Sequence, residues 1–137
     1  MGLILDSSVL IKAERQGQNA RQMLTAISRT AGETEIALSV VTLLELAHGA
    51  ARADTAERKQ TRQQFIQEPL AALPIHPVTV PVALRVGQID GENQAKGVRL
   101  PLADLLIGVP ALELGYSVAT GNLRHFQRIP GLSVVQF

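Results

Sequence analysis

The sequence predicts an α/β fold with a mostly parallel central sheet that is flanked by helices on both faces. Short apolar segments rich in β-branched residues alternate with segments in which apolar residues recur at helical spacing. The length of 137 residues corresponds to a single domain over residues 1–137. Apolar residues make up 46% of the chain, which is enough to form a hydrophobic core.

The first predicted elements are two strands and the helices between them. Residues 2–5 form a short apolar run that ends at Asp6, which predicts a buried strand. A helix is expected from Ser7 to about residue 15, and a second over residues 18–29. Residues 36–41 are rich in β-branched side chains and predict the second buried strand.

The middle of the chain predicts two helices and an edge strand. Thr42 followed by Glu45 has the spacing of a capping box, so a helix is expected to begin at Thr42. Residues 54–66 form a polar helix, expected on the outside of the domain or against a partner. Residues 75–80 lie in a proline-rich segment and predict an edge strand at most.

The last part of the chain predicts two more helices, over residues 82–93 and 101–114, and two more strands, over residues 117–120 and 132–136. Gly115 is expected to end the second of these helices. Pro110 lies inside that helix and removes a backbone hydrogen bond, so a bend is expected there. A loop or short helix over residues 122–126 connects the two strands.

The composition excludes several classes of protein. Thirteen basic and twelve acidic residues give a net charge of +1, so binding of nucleic acid by bulk positive charge is excluded. The absence of cysteine excludes disulfides, thiolate zinc sites and cysteine nucleophiles. No apolar run approaches the roughly 20 residues that span a membrane, and the first residues lack the basic segment of a signal peptide. We therefore expect a cytoplasmic protein without a membrane partner.

Three acids and one amide are expected at one edge of the predicted sheet. They are Asp6 after the first strand, Glu45 after the second, Asp104 in the first turn of a later helix, and Asn122 after the strand over residues 117–120. Parallel strands place their carboxyl ends at the same edge, where sites form. Oxygen ligands without cysteine suit a hard ion such as Mg²⁺ or Mn²⁺. The pattern isolates His48, His76 and His125 from one another and from the carboxylates, and none is needed as a ligand.

Each carboxylate also has a purely structural interpretation. Asp6 is a suitable N-cap for the helix that begins at Ser7, and Glu45 is the second half of the predicted capping box. Asp104 suits the positive end of a helix dipole, although its neighbours are apolar, which favours a functional role.

Four segments together resemble PIN-domain ribonucleases, and most of all the VapC-type toxins of bacterial toxin–antitoxin pairs. These segments are DSSVLI at residues 6–11, SVVTLLEL at residues 39–46 with Gly49, LADLLI at residues 102–107 and TGNLRHF at residues 120–126. The resemblance implies a PIN-like fold and a Mg²⁺- or Mn²⁺-dependent endoribonuclease. It also implies a homodimer that is held inactive by a cognate VapB-type antitoxin.

The resemblance assigns roles to individual positions. Asp6, Glu45 and Asp104 match the acids that hold the metal, and Asn122 stands where many members have a fourth Asp. Thr120 matches a small hydroxyl residue near that site.

The basic residues expected to contact RNA phosphates are Arg85, Lys96, Arg99, Arg124 and Arg128. The apolar residues expected to leave surface for a partner are Leu43, Leu44, Leu46 and Phe65.

Two other functional classes stay open at this point. One is a non-catalytic PIN-like module that binds RNA or protein, which the uncharged Asn122 makes conceivable. The other is an aspartyl phosphoryl-transfer domain, since an apolar strand that ends in Asp also begins such folds. Ser8 stands where a haloacid-dehalogenase-like pattern requires a second Asp, and no lysine lies where a receiver domain requires one.

Overall fold

A computed structural model describes residues 2–137, over which the chain forms five strands and seven helices. The strands are β1 (Gly2–Leu5), β2 (Glu35–Ser39), β3 (Ile75–His76), β4 (Ser117–Thr120) and β5 (Val134–Gln136). The helices are α1 (Ser7–Arg15), α2 (Ala20–Ala31), α3 (Val40–Ala51), α4 (Ala56–Ala72), α5 (Val80–Ala95), α6 (Leu102–Leu114) and α7 (Leu123–Phe126).

The five strands form one sheet in the order β3-β2-β1-β4-β5, and every neighbouring pair is parallel. β1 lies at the centre, where Ile4 pairs with Ala37 on one side and with Val118 on the other. Because all strands point the same way, their carboxyl ends share one edge, here called the carboxyl edge. The predicted α/β fold is confirmed.

Helices cover both faces of this sheet. Leu5 packs into one hydrophobic cluster with Leu10, Ile27 and other residues of α1, α2 and α4. Ile4 packs into a second cluster with Val86, Ile107 and other residues of α5, α6 and α7. Neighbouring residues of a strand point to opposite faces, so β1 contributes to both clusters. Among residues 2–137, no helix combines the length and the apolar character needed to cross a membrane.

The predicted capping box at Thr42 is wrong. β2 ends at Ser39, and α3 begins at Val40 with Ser39 as N-cap, whose hydroxyl accepts from the Val41 N–H at 3.1 Å. Thr42 is fully buried inside the helix, and its hydroxyl donates to the Leu5 carbonyl at 3.1 Å. The hydroxyl therefore joins α3 to the end of the central strand instead of capping a helix.

The edge strand and the polar helix also differ from their predicted bounds. The edge strand covers only Ile75–His76, because Thr79 caps α5 and accepts a hydrogen bond from the Val82 N–H. The polar helix continues beyond residue 66 to Ala72 and includes Pro69, which is buried together with Phe65. Tertiary packing therefore overrides the local cost of a proline in this helix. α6 likewise continues through Pro110, and the bend expected there stays a prediction.

Two helix glycines provide a test of how closely α6 packs. A β-carbon at Gly108 would lie 2.5 Å from Ile129 Cδ1 and 3.2 Å from Leu132 Cδ2, whereas one at Gly91 would meet open space. We expect Gly108→Ala to lower the free energy of unfolding by about 1–3 kcal/mol through overpacking. Gly91→Ala should raise it by about 0.5–1 kcal/mol through helix propensity. Chemical denaturation measures both changes in the free energy of unfolding. Equal changes for Gly108→Ala and Gly91→Ala would contradict the close packing of α6 at Gly108.

Candidate active site

Asp6 lies directly after the central strand and is 3% exposed. Its carboxylate does not cap α1. Instead, Asp6 Oδ2 accepts hydrogen bonds from Ser8 Oγ at 2.7 Å and from Thr120 Oγ1 at 2.9 Å. Among the described residues, no hydrogen bond is made to the other oxygen, Oδ1. The capping interpretation of Asp6 is therefore wrong, and the carboxylate is held with one oxygen available.

The two hydroxyls that hold Asp6 are themselves held by the backbone that follows β4. Ser8 Oγ accepts from the Gly121 N–H at 2.9 Å, and Thr120 Oγ1 accepts from the Asn122 N–H at 2.9 Å. Ser8 was not among the residues expected at the site. Its position two residues after the strand-ending Asp was the available signal, but its other partner, Gly121, lies 113 residues away in the sequence.

Glu45 lies on α3 and is partly exposed. Its Oε1 accepts a hydrogen bond from Ser7 Oγ at 3.2 Å. Burial raises the pKa of Glu45, and the negative charges of Asp6 and Asp104 raise it further, whereas the Ser7 hydrogen bond opposes the shift. Glu45 therefore points toward the other acids and is not part of a capping box.

Asp104 lies in the first turn of α6 and is buried. Burial raises its pKa, and so does the charge of Asp6, whereas His125 opposes the shift. His125 Nδ1 lies 2.9 Å from Asp104 Oδ2. The expectation that His125 is isolated from the carboxylates is wrong, because α7 places His125 at the same edge of the sheet. Its position three residues after Asn122, one helical turn, was the available signal.

Asn122 is brought to the site through its backbone. It occupies the N-cap position of α7 without a capping hydrogen bond from its side chain, and its N–H donates to Thr120. The side chain is exposed and forms no hydrogen bond with another residue of the described part of the chain. The structure thus places Asp6, Glu45 and Asp104 within electrostatic range of one another, and it ties the Asn122 backbone to the site through Thr120.

The three carboxylates suit a hard divalent cation by their chemistry. Asp6, Glu45 and Asp104 supply only oxygen ligands. Burial raises the pKa values of Glu45 and Asp104, and the negative charge of Asp6 raises them further. Over residues 2–137, no three Asp, Glu, His or Cys side chains are close enough to form a ready-made metal cluster. The acids therefore lie within electrostatic range of one another without forming a compact cluster of three ligands.

The apolar surface expected for a partner is only partly available. Leu46 and Phe65 are buried, with 7% and 9% exposure, because both belong to the core between α3 and α4. Leu44 is 67% exposed. The expectation is therefore wrong for Leu46 and Phe65. On α5, Val80 and Leu84 are also exposed, one helical turn apart.

Of the basic residues expected to contact phosphates, Arg85 is engaged elsewhere. Arg85 Nε lies 3.1 Å from Glu113 Oε1, which joins α5 to α6. Lys96 and Arg99 are exposed in the segment between those helices. Arg124 and Arg128 follow β4 and line one cavity together with His125, which contacts Asp104.

Comparisons with known proteins agree with this geometry. The PIN domain family matches residues 3–132. The tRNA(fMet)-specific endonuclease VapC of Salmonella typhimurium is 31% identical over 101 residues, which cover 74% of each chain. Ribonuclease VapC1 of Rickettsia felis is 27% identical over 135 residues, which cover 98% of this chain and 96% of the relative.

A solved structure shows the same fold. VapBC2 from Rickettsia felis, bound to a DNA fragment from its promoter, superimposes with a TM-score of 0.79 at 23% identity. The superposition covers 100% of this chain and 99% of that one. The all-parallel sheet and the match over residues 3–132 lead to one conclusion. This chain belongs to the PIN domain family and, within it, to the VapC-type proteins.

Proposed function

We infer that this protein is an endoribonuclease that hydrolyses RNA phosphodiester bonds and acts as the toxin of a toxin–antitoxin pair. One observation carries this inference. Asp6, Glu45 and Asp104 come from three separate elements and lie within electrostatic range of one another at the carboxyl edge. The chain shares the PIN domain family with relatives that are named ribonucleases.

Asp6, Glu45 and Asp104 are the residues that would hold Mg²⁺ or Mn²⁺, with the Asn122 amide as an uncharged neighbour. Such an ion, when bound, lowers the pKa of a coordinated water and offsets negative charge on the phosphate. The chain's own residues orient the ligands, since Ser8 and Thr120 hold Asp6 Oδ2 and His125 contacts Asp104 Oδ2.

Proton transfer falls to the acids whose pKa values are raised. Glu45 and Asp104 hold a proton more readily than ordinary carboxylates, because burial and the charge of Asp6 disfavour their ionised forms. Either side chain, where it does not itself hold the ion, is suited to accept a proton from an attacking water. Asp6 accepts two hydroxyl hydrogen bonds and is the fixed member of the cluster.

The partner of this toxin would be a VapB-type antitoxin, as the VapBC complexes among the structural relatives suggest. An apolar groove of about 90 Å³ opens between α1, α3 and α4 and reaches Glu45. Leu10, Phe65 and Ile66 form its apolar walls, and Arg62 borders it. An antitoxin segment seated there would lie directly beside the carboxylates.

Removal of the Asp104 charge tests the metal-assisted reaction. We expect Asp104→Asn to lower Mg²⁺-stimulated RNA cleavage by about 100-fold or more, because charge stabilisation by the metal contributes several kcal/mol. Mg²⁺ should raise the melting temperature of the parent protein more than that of the variant. RNA cleavage assays and thermal melts with and without Mg²⁺ measure the two effects.

Glu113→Gln is the matched control, since Glu113 is an exposed acid on the same helix. This variant should cleave RNA as the parent does. Undiminished cleavage by Asp104→Asn, or cleavage by metal-free protein in excess EDTA, would contradict the assignment. RNA binding without cleavage by the parent protein would identify the non-catalytic module instead.

A second prediction concerns the pH dependence of stability in the metal-free protein. The raised pKa of Glu45 means that its ionisation costs more in the folded than in the unfolded state. The stability that protonated Glu45 contributes is complete below its unfolded pKa and is lost as pH rises through the native pKa. Glu45→Gln is neutral at every pH and keeps Oε1 as the acceptor for Ser7.

We therefore expect the parent and Glu45→Gln to have similar melting temperatures near about pH 4 and the variant to be more stable at neutral pH. The difference should reach a few tenths of a kcal/mol, because solvent screens this partly exposed group. Melts in EDTA across this pH range measure it. A stability difference that does not grow with pH would show that the charge of Glu45 is not repelled in the fold.

A third prediction concerns assembly. We propose a homodimer that uses the exposed apolar face of α5, where Val80 and Leu84 are 73% and 71% exposed. Leu84→Glu should convert the dimer to a monomer in sedimentation at micromolar concentration, with its melting curve nearly unchanged. Leu70→Glu on α4 is the control, as an exposed leucine away from this face. A parent protein that is only monomeric would contradict the proposal.

A further inference from the structure

A basic cavity lies beside the acidic cluster. The residues that follow β4 form a surface cavity of about 480 Å³ lined by Arg124, His125, Gln127 and Arg128. Each of these side chains is able to donate a hydrogen bond, and none of them is acidic. The cavity therefore presents donors and two positive charges next to a site built from carboxylates.

Two buried residues hold this cavity in place. Phe126 is 0% exposed and Ile129 is 4% exposed, and both belong to the cluster that packs against α6. Phe126 lies between the cavity residues in sequence, and Ile129 follows directly after them. The core therefore holds the backbone that carries the exposed side chains of residues 124, 125, 127 and 128. The cavity is therefore built on the core rather than on a free loop.

The cavity begins at the candidate metal ligands. His125 lines it and lies 2.9 Å from Asp104 Oδ2 through Nδ1. Asn122 lies two residues before Arg124, and its backbone N–H donates to Thr120 Oγ1. That hydroxyl in turn donates to Asp6 Oδ2. An anion bound in the cavity would therefore lie next to the carboxylates.

The two arginines of the cavity have no acidic partner in residues 2–137. By contrast, Arg85 pairs with Glu113, and Arg58 pairs with Asp54 at 3.1 Å. An unpaired guanidinium offers a planar set of donors that matches phosphate oxygens. Arg124 and Arg128 share their cavity with His125, which contacts Asp104, and they pair with no acid of residues 2–137. This placement favours an external anion as their partner.

We propose that this cavity binds a backbone phosphate of the RNA strand, adjacent to the phosphodiester that is cut. Arg124 and Arg128 contact the phosphate, and His125 is a positioning residue that orients Asp104. The proposal rests on the RNA cleavage inferred above. Because phosphate contacts carry no sequence information, the cavity fixes the register of the strand and not the choice of bases.

Binding of RNA without cleavage tests the arginines. The probe is a 20-nucleotide single-stranded RNA of random sequence, titrated in EDTA at several KCl concentrations. Each phosphate contact to a single strand contributes about 0.7 to the slope of log K against log salt. Arg124→Ala and Arg128→Ala should each reduce the slope by about this amount, and the double variant by about twice as much.

Arg29→Ala is the matched control for the loss of one charge. Arg29 is exposed near the end of α2, just before β2 begins, and so lies toward the opposite edge of the sheet. Its removal should leave the slope unchanged. In cleavage assays the two cavity variants should raise KM with little change in kcat, as expected for loss of uniform binding.

The positioning role of His125 needs a different measurement. His125→Ala should lower kcat, leave KM for RNA nearly unchanged, and raise the Mg²⁺ concentration that gives half of the metal-induced rise in melting temperature. His125→Asn places an amide N–H near the position of Nδ1 and should restore much of both properties. A purely structural role would instead lower the melting temperature without Mg²⁺ and leave the Mg²⁺ midpoint unchanged.

These measurements separate the cavity from the proposed function. If the protein cleaves RNA but both arginine variants keep the parent slope, the cavity is not a phosphate site and cleavage still stands. If the slope falls as expected but Asp104→Asn still cleaves RNA, the carboxylate mechanism fails and the cavity stands. If Arg29→Ala lowered the slope of log K against log salt by the same amount, the loss would reflect the net charge of the protein and not a contact in the cavity. That result would overturn the proposal.

Discussion

The candidate site depends on the way in which the buried carboxylate of Asp6 is held at the end of the central strand. Ser8 and Thr120 donate hydroxyl hydrogen bonds to the same oxygen, so these bonds stabilise the buried carboxylate. These hydroxyls join the beginning of α1 to the turn after β4, and the Asp6 N–H itself donates to the Ala119 carbonyl. The geometry of this edge of the sheet follows from those contacts.

A fixed negative charge at this position imposes a constraint on the other acids. Glu45 and Asp104 are both repelled by Asp6, and their raised pKa values express the cost of that repulsion together with burial. His125 on Asp104 and Ser7 on Glu45 each offset part of it. Such an arrangement costs stability, which favours a functional role for the acids over a capping role.

Short apolar segments alternate along the chain with segments of helical periodicity. This alternation was sufficient to predict the sheet, the parallel direction of its strands and the edge at which the acids gather. Local capping patterns were less informative. Thr42 and Glu45 have the spacing of a capping box, yet Ser39 caps α3 and Thr42 binds the Leu5 carbonyl. A capping pattern reports only which residues are able to cap, whereas a buried hydroxyl takes whichever partner the tertiary fold offers.

The sequence by itself determined the parallel α/β fold, the three acids and the absence of cysteine chemistry, because these depend on periodicity, residue type and order along the chain. Only the tertiary structure decided that Ser8 and Thr120 hold Asp6, that His125 contacts Asp104, and that Arg124 and Arg128 lie unpaired beside them. Ser8 lies two residues from Asp6, but Thr120 lies 114 residues from Asp6, and His125 lies 21 residues from Asp104. No local pattern encodes the two long separations, since these contacts are set by the packing of β1, β4, α6 and α7 at one edge of the domain.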